Sequence, residues 1–209
     1  MYLPSAFAGD DPATLDALLG RDAFVTLVTV DAQGLPFASH LPVLSSRDGD
    51  RHVLRGHWAR ANPQAGHTGP ALVIVQGPHH YVSPGWYPDK AEATRVPTWN
   101  YAIAHLQGTL HALHGESDLA AIVAALGDRH EAAVGGDWRY DHDAPAERRQ
   151  LRGIVGFRFD VAHTSLKLKL SQNHPSANVD GVIDGLRALG TSSALEMAAM
   201  MQAQRPPSA

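Results

Sequence analysis

The chain has 209 residues, 44% hydrophobic and 18% charged, with a formal net charge of −4. That balance excludes a disordered chain and gives no general basic footprint for nucleic acid. The absence of cysteine excludes disulfides, iron–sulfur clusters and thiolate zinc sites.

Thirteen histidines make the net charge sensitive to pH near neutrality. No apolar run approaches the ~20 residues that span a bilayer. The start, MYLPSAFAGDDP, lacks a basic region followed by an apolar one, so no signal peptide is expected and the plain reading is cytoplasmic.

In chain order, DDPATLDALLGR predicts a first helix. Asp11 caps it, Pro12 suits its first turn, and Leu15, Leu18 and Leu19 form its apolar stripe. A hairpin follows: a strand from Phe24 to Val30, a turn over Asp31 to Gly34, and a second strand from about Leu35 to Val43. RHVLRGHWARANP begins as a strand and ends in a short helical turn before Pro63. Ala71 to Val75 is continuously apolar and predicts a buried strand. TWNYAIAHLQGTLHAL predicts a long bent strand with Gly108 as a candidate bulge. SDLAAIVAALGDRHEAAV is the clearest helix. GIVGFRFDVAHTSLKLKLSQN is strand again, with Phe157 and Phe159 alternating against Arg158. The tail predicts one or two helices and a frayed RPPSA. The pattern is mainly β with α additions, a small antiparallel barrel. Regular strand–helix alternation and a GxGxxG are both missing, so a doubly wound sheet does not fit. Residues 1–175 read as the barrel domain with an inserted helix near 116–134, and 176–209 as a C-terminal helical extension packed on it.

Four stretches carry chemistry. GHWARANP places His57, Arg60 and Asn62 after a strand, with Gly56 permitting close approach of a ligand. Arg60 suits a phosphate or pairs with a surface acid. GPHHYVSPGWY places Tyr81, Ser83, Trp86 and Tyr87 in a loop, where they cover a flat ring or plug the barrel end. His79 and His80 are adjacent and point to opposite faces of a strand, so no metal is assigned to them. VPTWNY puts Thr98 and Asn100 on one face and Trp99 and Tyr101 on the other. Its polar face meets a ligand and its aromatic face the core, or the faces are reversed. KLKLSQN places Lys167, Lys169 and Ser171 on one face, for a phosphate or as the guard of an edge strand.

Taken in order, MYLPSAF, SHLPV, GHWARANPQ, VQGPHHYVSPGWY, VPTWNYAIAHLQG and KLSQN resemble the PaiB-like FMN-binding negative transcriptional regulators, from Met1 to about Leu189. The resemblance implies a flavin-reductase-like split barrel with Greek-key strand order, a homodimer with FMN at its interface, and repression of transcription. It implies that Arg60 and Asn62, with Lys169 as a further candidate and His57 and Ser171 beside them, meet the phosphate. Ser39 and the backbone from His40 to Leu41 would face the isoalloxazine edge. Ser83, Thr98 and Asn100 would contact ribityl or ring, and Trp99 would wall it. Two other uses fit the same barrel: a flavin oxidoreductase, or a haem- or cofactor-holding protein. No helix-turn-helix stands out. The densest basic patch, Arg148, Arg149 and Arg152 in AERRQLRG, is the candidate DNA contact or a solvated surface.

Overall fold

Asp11 starts the first helix as its side chain predicts: its carboxylate accepts from Ala13 N and from the Thr14 hydroxyl. In the computed structural model, which describes residues 1–49 and 51–205, that helix is α1, Pro12–Arg21, preceded by the two-residue strand β1, Ala8–Gly9. Then come β2 Phe24–Val30, β3 Pro36–Pro42, β4 Leu44–Asp48, β5 Arg51–Ala59, β6 Gly69–Val82, β7 Thr98–Leu113, α2 Glu116–Val134, α3 Pro145–Gln150, β8 Ile154–Lys169, α4 Ser176–Leu189 and α5 Ser192–Ala203. The helical turn expected before Pro63 begins at Pro63 and runs to Gly66. Pro206 to Ala209, most of the expected frayed end, lie outside the described residues.

One sheet runs in the order β3-β2-β6-β7-β8-β5-β4, with β1 paired to β8. Every pairing whose register is resolved is antiparallel. The crossed neighbours β2/β6 and β5/β8 are the Greek-key feature expected. The chain forms two compact units: Met1–Leu15 with Gln76–Ala104 and Ser165–Ala209, and Asp16–Val75 with His105–Thr164. The former is the first unit and the latter the second; strands β6, β7 and β8 each have residues in both.

In the first unit, α4 and α5 supply the apolar cover: Val182, Ile183, Leu186, Ala194 and Met197 are all at most 2% exposed. Trp86 explains two glycines of α4. A Cβ on Gly185 would sit 2.5 Å from its indole, and one on Gly181 would sit 2.2 Å from its carbonyl oxygen. Trp86 therefore packs on a helix. The aromatic face of VPTWNY is not the core face: Trp99 is 52% exposed, whereas Asn100 on the polar face is fully buried. A neighbour that satisfies the amide inside removes the cost of burying it. Strand β8 is interior in the sheet order and β1 pairs with its lysine end, Ala8↔Lys167, so Lys167 does not guard an open edge. The strand ends at Lys169, and Ser171 turns to φ 63°.

In the second unit, β2 and β3 form the expected hairpin, Val30↔Pro36 to Phe24↔Pro42. Strand β4 (LSSRD) has no apolar alternation to announce it; it is held by pairing with β5, Leu44↔Arg55 to Asp48↔Arg51. The apolar run in β6 is not buried on both faces: Val73 and Val75 are buried while Leu72 and Ile74 are half-buried. Gly56 faces no ligand, because a Cβ there would lie 2.7 Å from the Phe157 ring and 2.9 Å from the Pro42 carbonyl oxygen. Gly108 lies within a continuous β7, and its need is close approach: a Cβ would meet Asp160 O at 2.1 Å.

At the centre of this unit is Gln64, fully buried. Its Oε1 accepts from Trp58 Nε1 at 3.1 Å. Its Nε2 is shared among Leu27 O, Thr29 Oγ1 and Phe37 O at 3.0–3.1 Å. One amide thus joins β2, β3 and β5. Gln64→Leu leaves the Trp58 indole N–H short of a partner and takes one donor each from Leu27 O, Phe37 O and the Thr29 hydroxyl, which keeps His67. It is expected to cost on the order of 3 kcal/mol, read as a lower urea midpoint with unchanged slope.

Candidate functional site

The twelve residues expected to form a site divide evenly. Ser39, His40, Leu41, His57, Arg60 and Asn62 lie in the second unit; Ser83, Thr98, Trp99, Asn100, Lys169 and Ser171 lie in the first.

In the second unit, main-chain parity decides what β3 offers. Leu35 O accepts from Asp31 N, and Val43 N donates to Ala23 O. Odd-numbered residues of β3 therefore bond toward β2, and the N–H and C=O groups of Ala38 and His40 point outward from the end strand of the sheet. The Leu41 main chain turns inward. The Ser39 side chain is 7% exposed and accepts from Asn62 Nδ2 at 3.0 Å. Asn62 Oδ1 in turn accepts from Gln64 N at 2.9 Å, capping the 63–66 turn. His40 Nδ1 is 3.0 Å from the Thr26 hydroxyl.

Arg60 is partly committed. Its Nε donates to Arg152 O at 2.5 Å and Nη2 to Ile154 O at 2.8 Å, leaving Nη1 and the full charge exposed. His57 belongs to the other face of β5. It pairs with Gly156, whose Cβ position is crowded by Leu119 and Ile122 of α2. A cavity of about 420 Å³ opens on that face, lined by Arg55, Arg158 and α2 residues. His57 Nδ1 is buried without a hydrogen bond, and burial pushes the imidazole pKa down.

In the first unit, the polar residues converge. A cavity of about 210 Å³ is lined by Tyr87, Arg95, Thr98, Asn100, Lys169, Ser171 and His174, among others. Lys169 Nζ donates to the Thr98 hydroxyl and to Trp99 O. Burial, then the charge of Lys167, holds its pKa below the ordinary lysine value. Asn100 and Ser171 bond to each other at 2.9 and 3.1 Å, and Asn100 Nδ2 also reaches Met201 Sδ at 3.3 Å. Tyr87 is 1% exposed, and its hydroxyl has no hydrogen bond of normal geometry. Ser171 lies near it but is engaged with Asn100, so burial keeps the phenol pKa raised. An unmet hydroxyl in such a place costs about 1–3 kcal/mol.

Arg95 grips Asp89 with Nε at 2.9 Å from Oδ1 and Nη2 on Oδ2, and its guanidinium lies over the Tyr87 ring at 5.6 Å. His174 stacks on the other partner of this group, its ring 4.9 Å from that of Tyr87. Two sequence candidates do other work. Ser83 caps the turn over Pro84–Trp86 by accepting from Gly85 N at 3.1 Å, and Trp99 stands outside against His79 and Tyr81.

The sequence reading missed Gln64, Arg95 and His174 as site-forming residues, and named Tyr87 only as a cover for a flat ring or a plug of the barrel end. For Gln64 a signal exists: Asn62-Pro63 is a capped start that fixes the side chain two places on. Arg95 sits in an irregular stretch with no periodicity to single it out.

A family model described as "Putative FMN-binding domain" matches residues 1–163. The chain is 32% identical over 207 residues to "Protease synthase and sporulation protein PAI 2" of Bacillus subtilis, covering 97% of each. It is 29% identical over 234 residues to an uncharacterized protein of Emericella nidulans, covering 92% of this chain and 93% of that one. Among solved structures it is similar to an FAD- and heme-binding protein of Mycobacterium smegmatis, with TM-score 0.57 and 22% identity over 78% of this chain and 73% of that one. It is also similar to the flavocytochrome Anf3 of Azotobacter vinelandii, with TM-score 0.56 and 17% identity over 78% and 69%. The fold class is the split barrel, mainly antiparallel with five helices among the described residues. None of those helices is long and apolar enough to cross a membrane.

The Arg95 grip holds the Asp89 carboxyl down at about 2, aided by Asn178. A folded pKa below the unfolded one means stabilisation that is present above about pH 4 and lost as pH falls toward 2. Asp89→Asn is expected to flatten that acid limb, measured as melting temperature against pH in the two proteins.

Proposed function

The chain belongs to the FMN-binding family whose model it matches, and from that premise we propose that it acts as an FMN-loaded homodimer that represses transcription. The observation that carries the cofactor's placement is the open main-chain edge of β3 at Ala38 and His40. An isoalloxazine ring presents alternating acceptors and an N–H along one edge, and this strand edge offers their complements. Ser39, tied to Asn62, keeps that strand end in register with the 63–66 turn. Arg60 and the second amide hydrogen of Asn62 are the phosphate donors; a guanidinium against a phosphate is the stronger of the two. FMN supplies a ring that takes up and releases one or two electrons, and the chain's own groups hold and orient it.

Supporting the regulatory reading is similarity over nearly the whole chain to a protein named for protease synthesis and sporulation. Supporting the dimer is the outer face of β2, β3 and β6. Phe24, Val28, Val30, Ala38, Leu72 and Ile74 share it by register, with Phe24 58% and Val30 61% exposed. A second copy meets this face best, because among these positions and their partners Thr26 and His40 the latter is the single titratable group. Of the basic patch, Arg148 is held by Glu116 at 2.5 Å, so Arg149 and Arg152 carry what contact DNA makes with α3 and the turn after it.

Arg60→Ala is expected to weaken FMN about tenfold or more, the loss of one charge-assisted bond. Lys169→Ala is expected to weaken it less, and riboflavin binding should be indifferent to Arg60. Flavin fluorescence on flavin-free protein reads all three. Arg60→Ala also releases two main-chain carbonyls, so its melting temperature should fall. Wild-type FMN affinity in the folded variant would place the phosphate elsewhere.

Phe24→Glu is expected to convert the dimer to monomer by light scattering. It should also abolish a gel shift on the gene's own upstream region, a shift that weakens steeply with salt. A wild-type shift that is blank with and without FMN, alongside fast FMN reduction by a nicotinamide donor, would favour the oxidoreductase reading.

A further inference from the structure

The polar cavity of the first unit has a chemistry of its own. At about 210 Å³ it is smaller than the ≈ 300–1,000 Å³ of ordinary ligand clefts. It therefore suits a group of a few heavy atoms better than a flavin. Its donors are unusual for a half-sheltered place. Lys169 bonds only neutral oxygens, the Thr98 hydroxyl and a main-chain carbonyl, so its charge has no anion in those contacts. The Tyr87 hydroxyl, on a side chain 1% exposed, makes no hydrogen bond of normal geometry, and the nearby Ser171 hydroxyl is engaged with Asn100. Ser171 holds a left-handed backbone at φ 63° while its hydroxyl engages Asn100. Arg95 sits over Tyr87 with its charge balanced by Asp89.

A cation bonded only to neutral oxygens and a buried phenol with no well-formed hydrogen bond ask for the same thing: an oxygen atom carrying negative charge. We infer that this cavity binds a small oxyanion, a phosphate or a short carboxylate, separately from the flavin. Lys169 supplies the charge, Tyr87 a direct hydrogen bond, and Thr98 a neutral one once Lys169 turns to the ligand. The Arg95–Asp89 pair keeps the Tyr87 ring in place. FMN itself carries a phosphate, so that phosphate and a free anion share this chemistry, and the experiment must tell the two apart.

The experiment titrates inorganic phosphate, and in parallel succinate, into flavin-free and FMN-loaded protein by calorimetry, with thermal shift as a second readout. Saturable binding of at least one anion is expected, equal in both forms of the protein. Lys169→Met should weaken it on the order of tenfold, Tyr87→Phe by less, and Lys169→Arg should retain most of it. Silence up to tens of millimolar anion overturns the inference, as does a Lys169→Met protein that binds like wild type. Anion binding that disappears on FMN loading also overturns it, by making the cavity the seat of the flavin phosphate. FMN affinity is measured separately on β3 and Arg60 variants, so failure here leaves the placement of the flavin to its own test.

Discussion

The second unit depends on one buried amide. A glutamine at full burial is stable only if both ends are satisfied, because each unmet polar group costs as much as a well-packed methyl group or more. Gln64 meets that demand by accepting from Trp58 and donating into the gap between β2 and β3. The indole is thereby fixed against Phe157, ring centroids 4.7 Å apart. The hairpin cannot slide by one residue, since a slip would turn the Phe37 carbonyl away and invert every side chain. The outward groups of Ala38 and His40 follow from that register. A site made of main-chain atoms is thus positioned by a side chain that never touches its ligand.

The first unit solves a different problem with the same rule. It gathers several buried and half-buried polar side chains, and most are satisfied by each other: Asn100 with Ser171, Lys169 with Thr98, Asp89 with Arg95 and Asn178. The exceptions are informative because the rest of the accounting is so complete. The helices α4 and α5 make this burial possible, since Met201 contributes both cover and a soft acceptor to Asn100.

Much of the fold was legible because it rests on local chemistry. The Asp11 cap, the 24–42 hairpin and α2 follow from capping, alternation and helical period. The six ordered motifs carried the split barrel; periodicity alone pointed to a small antiparallel barrel with helical additions. Strand β4 was not legible because LSSRD is ordered by its partner and not by its own pattern. The sequence left the faces of VPTWNY open between two assignments, because the partner that makes Asn100 a buried residue, Ser171, lies seventy-one positions away. Sequence proximity also joined residues that belong to different faces: His57 and Asn62 are five apart, yet one lies under α2 and the other bonds to Ser39. Strand parity, invisible until the hairpin bonds are known, separates His40 from Leu41.

Ser171 records a conflict between folding and chemistry. At φ 63° glycine or asparagine would rest more easily than serine, whose Cβ crowds the neighbouring carbonyl. Glycine would relax the chain and strip the hydroxyl from Asn100; asparagine would need room that a 3% exposed position lacks. Selection for thermal robustness alone would therefore drift toward glycine here, and selection for the polar cluster would hold serine. Whichever residue occupies this position in a relative is a marker of which pressure has prevailed in that lineage.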